Sequence, residues 1–143
     1  MKIGVTGTRS GMTEQQFDGV KFYLEKFMEA REPDEQMELH HGDCVGVDVE
    51  VATLAKVIGY KVVNHPPTKT DLRAYHESDE FREPLSYFAR NRNIVDATDT
   101  LLVIPYQEEW QPNGGTWYTH DYAAKKQKSK VVFYPSGGVR TIV

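Results

Sequence analysis

The chain has 143 residues and a mass of 16.3 kDa, the size of one ordinary domain and enough to bury a core without metal or disulfide. A composition of 39% apolar and 27% charged residues excludes a disordered or fibrous protein, and runs such as Leu101–Ile104 fall far short of the roughly 20 residues that span a bilayer. Seventeen basic residues against 21 acidic ones leave a net charge of −4, which argues against a general polyanion binder but allows a small basic pocket.

Lys2–Thr6 reads as a buried strand with no cleavable signal before it, broken by Gly7-Thr8-Arg9-Ser10-Gly11. Thr13 is the expected N-cap of the first helix, with Gln16 as its capping-box partner. Phe17, Val20, Leu24, Phe27 and Met28 then recur at helical spacing until Pro33. Glu38–His41 is a short strand running into Gly42-Asp43-Cys44-Val45-Gly46, and Val47–Ile58 is a helix closed by Gly59. Tyr60–Asn64 is the next strand, ended by His65-Pro66-Pro67. Residues 66–84 are polar, contain three prolines and show no periodicity, so they read as a long loop. Leu85–Ala97 is a helix, Thr100–Ile104 an apolar strand and Pro105–Gly115 a loop. Thr116–Gln127 is a helix and Lys130–Tyr134 a strand, and the tail Pro135–Val143 has room for one short strand more.

This alternation predicts a single α/β domain over residues 1–143. Its expected form is a Rossmann-like, open doubly wound sheet, mostly parallel, of about five strands with helices on both faces. Ligands in such sheets bind at the carboxyl ends of the strands. Three glycine turns open helices at that edge: Gly7-Thr8-Arg9-Ser10, Gly42 to Gly46, and Gly114-Gly115-Thr116. Glycine there admits a ligand close to the backbone, and the helix dipole with its free N–H groups attracts an anion such as phosphate. Neither G-x-x-x-x-G-K-[ST] nor G-x-G-x-x-G is present, which sets aside a P-loop NTPase and an ordinary NAD dehydrogenase.

Arg9, two residues beyond Gly7, is placed to fork onto a phosphate or carboxylate. Of Arg90 and Arg92, which lie on different faces of their helix, Arg90 is expected to reach the cleft. Asp43, a carboxylate in a glycine loop, is a candidate to bind a ribose hydroxyl or act as a base. Asp48, near the start of its helix, steadies that end or the loop and joins the ligand-binding set. The five histidines show no zinc spacing, so no metal is expected. Cys44 reads as a packing residue that suits a reducing compartment, with no base marked for it. Trp110 and Trp117 flank the last glycine turn, where an aromatic ring stacks on a nucleobase or covers the core.

In their order and spacing, Thr6-Gly7-Thr8-Arg9, His41-Gly42 through Gly46-Val47-Asp48, Arg90-Asn91, Asp99 leading a strand to Pro105, and Gly114-Gly115-Thr116 resemble the SLOG superfamily. Within it the YspA/YpsA-related branch is most similar. The resemblance extends to LOG-type phosphoribohydrolases, which cleave nucleoside 5′-monophosphates with an arginine-lysine pair and a P-G-G-x-G-T-x-x-E loop. It implies that Arg90 takes the arginine's place, while Asn91 replaces the lysine and Thr119 stands where the catalytic glutamate is expected. Asp121, Asp43, Glu108 and Glu109 are the carboxylates left to substitute.

The expected function is binding of a nucleotide or nucleotide-derived metabolite. Arg90 and Asp43 stand at its centre, and Gly7, Thr8, Arg9, Ser10, Gly42, Gly46, Asp48, Asn91, Gly114, Gly115 and Thr116 around the ligand. An N-glycosidase using a displaced carboxylate is the enzymatic alternative. A single-stranded DNA module, suggested by the related fold in DprA, is disfavoured by the acidic balance. The lone Cys44 and the absence of a signal lead to a cytoplasmic expectation, and the resemblance further implies a homo-oligomer.

Overall fold

A computed structural model describes residues Met1–Val143, and every stretch read as a strand or helix forms one with slightly shifted ends. In chain order these are β1 (Lys2–Gly7), α1 (Glu14–Ala30), β2 (Glu38–His41), α2 (Val47–Ile58) and β3 (Lys61–Asn64). They are followed by β4 (Glu80–Phe81), α3 (Tyr87–Ala97), β5 (Thr100–Ile104), α4 (Gly115–Lys125), β6 (Ser129–Phe133) and β7 (Val139–Ile142). The strands form one sheet in the order β4-β3-β2-β1-β5-β6-β7, parallel except where β7 runs against β6.

Seven strands therefore stand where about five were expected from the pattern of alternation. The extra strands are the two edges. Strand β4 lies inside the polar 66–84 stretch and pairs with β3 through only two residues, Glu80 and Phe81. Two residues carry no alternation to read. What holds the strand is backbone pairing (Asp79 N–H to Val62 O, 2.9 Å, and Arg82 N–H to Asn64 O, 2.9 Å) together with the Asp79 carboxylate on the Val62 amide. Strand β7 returns along β6 through a tight turn in which Gly137 takes φ 104°.

Period-two alternation sorts the central strands into two cores. On β5, Leu102 and Ile104 join a cluster with Ile3, Val5, Val20, Leu24 and Val51, under α1 and α2. Leu101 and Val103 face the other way, against Ile94, Val95, Trp117 and Ala123 of α3 and α4. The sheet is thus covered on both faces. No helix is long and apolar enough to cross a membrane.

The start of α1 shows how the sheet's carboxyl edge is tied down. Thr13 and Gln16 form the capping box read from the sequence. The buried Gln16 amide also donates to Pro105 O at 2.8 Å and to Phe133 O at 2.9 Å, pinning the helix to the ends of β5 and β6. Neighbouring loops meet closely. A Cβ at Gly46 would stand 2.4 Å from Arg9 O, and one at Gly7 would stand 2.4 Å from a Val47 methyl. Only glycine lets the first two loops touch.

Candidate ligand-binding cleft

At the carboxyl edge of the sheet, a cleft of about 580 Å³ opens between the β1–α1 loop, the start of α3 and the β5–α4 loop. Gly7, Thr8, Arg9 and Ser10 form one wall, Gly114, Gly115 and Thr116 another, and Asp48, Arg90 and Asn91 lie between them. Residues far apart in the sequence meet at one hollow. Arg92, by contrast, turns away and donates to the Tyr118 hydroxyl at 2.8 Å.

Arg90 is 4% exposed. Its Nη1 donates to Gly42 O and to His65 O at 3.2 Å, and its Nε to the Asn91 side chain at 2.7 Å. The remaining nitrogen, Nη2, meets only the Cys44 thiol at 3.6 Å. No carboxylate pairs with this buried cation. Asp48 acts on it through space without forming an ion pair; a buried charge compensated only at a distance is costly, and that cost is relieved when an anion arrives. Arg9, exposed on the opposite wall, is also free of any carboxylate, and both guanidinium groups lie within 6 Å of the Tyr87 ring, at 5.9 Å and 5.6 Å.

Two helix N-termini open on the same space. Helix α4 begins after Gly114, whose φ of 104° only glycine holds easily, and no side chain caps it. Nothing lies within 4 Å of where a Gly114 Cβ would stand, so the first amides of α4 are approachable. Helix α3 follows Ser86, also without a side-chain cap, and presents Tyr87 and Phe88 to the cleft.

Asp48 is the carboxyl that lines this cleft. Its Oδ2 accepts from the Gly42 and Cys44 amides at 3.1 and 3.3 Å. Burial pushes its pKa up to about 6, against the pull of Arg90 and of those two amides. Burial likewise pushes the Cys44 thiol up, with the Asp48 charge acting in the same direction, so the thiol remains protonated.

Three residues proposed from the sequence lie elsewhere. Asp43 is fully buried at φ 58°, with Oδ2 on Arg73 Nε at 2.7 Å and Oδ1 on the His76 amide at 2.9 Å. Its carboxylate clamps the 66–84 stretch against the β2–α2 loop, and it does not line the cleft. Gly42 lies behind Arg90, where a Cβ would come within 2.7 Å of the guanidinium carbon, and Gly46 packs on Arg9. Both shape the site without facing its interior. Two of the other carboxylates are committed, Asp121 to Trp110 Nε1 at 3.0 Å and Glu108 to the Ser136 amide at 2.7 Å, while Glu109 is exposed and does not line the cleft. Thr119 is buried, and its hydroxyl donates to Gly115 O at 2.7 Å.

Sequence reasoning missed Tyr87, Phe88, Tyr106, Gln107 and Asn113, which complete the lining. The aromatic pair at 87–88 is the signal for two of them, obscured because the apolar pattern places the helix start at Leu85, whereas the helix begins at Tyr87. Trp117 faces the cleft and the core, and its indole N–H is buried without a partner. Four of the five histidines are linked in twos, and His120 meets Asp121 instead. His40 meets His65 at 2.8 Å and Glu38 at 2.9 Å, while His41 and His76 share the Ser78 hydroxyl at 3.0 and 2.9 Å.

No family model and no curated protein matches the chain. Among solved structures, the chain is similar to the molybdenum cofactor binding protein of Rippkaea orientalis (TM-score 0.67, 22% identity, 92% of this chain and 74% of that one). The molybdenum cofactor carrier protein of Chlamydomonas reinhardtii is matched at TM-score 0.64 and 19% identity, over 92% of this chain and 74% of that one. DNA processing protein A of Helicobacter pylori, described with a single-stranded DNA binding mode, is matched at TM-score 0.64 and 20% identity, over 92% of this chain but 64% of that one. What the chain shares with all three is a Rossmann-like fold of the kind found in DprA.

Proposed function

We propose that the chain binds a phosphate-bearing small molecule, a nucleotide or nucleotide-derived metabolite, in this cleft. The observation that carries the reading is Arg90: a buried guanidinium with no carboxylate partner and one nitrogen facing only a thiol. Around it stand Arg9, the open start of α4 and a rim of aromatic side chains. Phosphate would lie between Arg90, Arg9 and the Gly114-Gly115-Thr116 amides, with Thr116 donating at the helix start. A flat heterocycle would meet Tyr87, Phe88 or Tyr106. Two of the similar structures carry names that refer to the molybdenum cofactor.

Binding, rather than hydrolysis, is favoured by Thr119. The position that the LOG resemblance implies for a catalytic glutamate holds a hydroxyl already bonded to its own helix. We further propose that the chain is a single SLOG-type domain of the YspA/YpsA-related branch, acting in the cytoplasm as a homo-oligomer.

Calorimetric titration of the purified protein with nucleoside 5′-monophosphates, inorganic phosphate and single-stranded DNA tests the reading. Saturable nucleotide binding, weakened by salt and strongly weakened in Arg90→Ala, is expected. Release of free base would instead make the protein an enzyme. Tight binding of DNA with none of nucleotides would move the function to nucleic acid.

A further inference from the structure

Asp48 is the one acidic group in a cleft otherwise furnished for an anion. Both hydrogen bonds that hold it use Oδ2, from the amides of Gly42 and Cys44. Oδ1 accepts from no group of the protein, and it is not among the side-chain atoms sealed from solvent without a partner. Because Asp48 lines the cleft, that oxygen opens into it. A carboxylate oxygen beside a phosphate site is a liability unless the ligand brings a donor to it.

We infer that Asp48 reads a hydroxyl of the ligand, so that the cleft selects phosphorylated molecules with a free sugar hydroxyl over otherwise identical ones without it. The inference rests on the phosphate-binding reading above. The two amides fix the carboxylate's position through Oδ2 and leave Oδ1 as a preset acceptor. An alkyl hydroxyl satisfies such an acceptor, whereas a C–H in its place strands a buried charge. The groups that face Asp48 are Arg90 from α3, Cys44 and Asp43 from the β2–α2 loop, and Arg9 across the cleft from the β1–α1 loop. With the carboxyl titrating at about 6, it is an acceptor at pH 7.5 and largely a neutral acid at pH 5.

The test compares adenosine 5′-monophosphate with its 2′,3′-dideoxy analogue by calorimetry, with inorganic phosphate as the hydroxyl-free control. At pH 7.5 the wild-type protein is expected to prefer the hydroxylated nucleotide about tenfold. Asp48→Asn keeps an oxygen for the two amides, so it should fold, bind phosphate and lose that preference. In the wild type, with no substitution at all, the preference should shrink at pH 5. Equal affinity for the two nucleotides at pH 7.5, an undiminished preference in Asp48→Asn, or one that ignores pH overturns this inference alone. Failure of phosphate and both nucleotides to bind overturns the phosphate reading and this inference with it.

Discussion

Helices α1 and α4 both start at the carboxyl edge of the sheet, and their first turns are finished in opposite ways. At α1, the Thr13 hydroxyl and Gln16 side chain satisfy amides reciprocally, and the Gln16 amide also fills two carbonyls from β5 and β6. At α4, Gly114 offers no side chain, nothing packs over it, and the amides of the first turn face a cleft. Both ends carry the same partial positive charge. The first converts it into stability inside the protein, and the second leaves it available to a ligand.

The largest expected effect on the open end comes from Arg90. Arg90→Ala should weaken nucleotide or phosphate binding about 100-fold, the loss expected when a buried charge-assisted contact disappears, as calorimetry will read. Arg90→Lys should recover little, because an ammonium cannot hold Gly42 O, His65 O and a ligand in one plane. If Arg90→Ala binds normally, the open end is merely unfinished.

The capped end is challenged by Gln16→Ala, which strands the buried Pro105 and Phe133 carbonyls and breaks the capping box. Urea unfolding should show a loss of about 3 kcal/mol with ligand affinity per folded molecule unchanged. A fall in affinity equal to that of Arg90→Ala would mean that the two ends are not separate in function.

Acid tests the buried layer behind the cleft. Burial pushes His40 and His41 down, and His65 down to about 3. Unfolded histidines take up protons near 6.5, which the folded chain resists, so this stability is present at neutral pH and drains away as pH falls from 6.5 toward 3. Asp48 acts in the opposite sense. Its raised pKa makes ionisation costly to the fold as pH rises from 3.8 through about 6. His76 is pushed down by burial as well, so with four histidines against one carboxyl the urea midpoint should drop between pH 6.5 and 4, and a flat profile would contradict the assignment of neutral histidines.

The smallest effect is Gly114→Ala. Its Cβ meets no atom, so only the backbone at φ 104°, ψ 153° is strained, at about 2 kcal/mol, while the amides shift and anion affinity falls severalfold. Gly46→Ala is the contrasting substitution. There a Cβ would press on Arg9 O at 2.4 Å, and unfolding rather than weakened binding should dominate the assays.

Local signals were legible in the sequence and distant ones were not. The Thr13–Gln16 box spans three residues and needs only the chain between them. The apolar β5 was plain because both of its faces are buried. Strand β4 exists only by pairing with β3, so two residues within a polar stretch carried no mark of it. Asp43 was misplaced for a related reason. A carboxylate in a glycine loop looks available until Arg73, thirty residues on, is seen to hold it. Asp48 and Arg90 could be nominated by position, but only the packing of α3 over the β2–α2 loop reveals which donors and acceptors remain unfilled.

The placement of the two tryptophans supplies a built-in optical reporter. Trp117, 6% exposed, forms part of the cleft lining, whereas Trp110, 54% exposed, leans on Asp121 outside it. Aqueous iodide would quench emission from Trp110 and spare that of Trp117, and Trp110→Phe would leave a single emitter beside the bound molecule. Occupancy can then be followed in real time by fluorescence, without a label and before the physiological ligand is known.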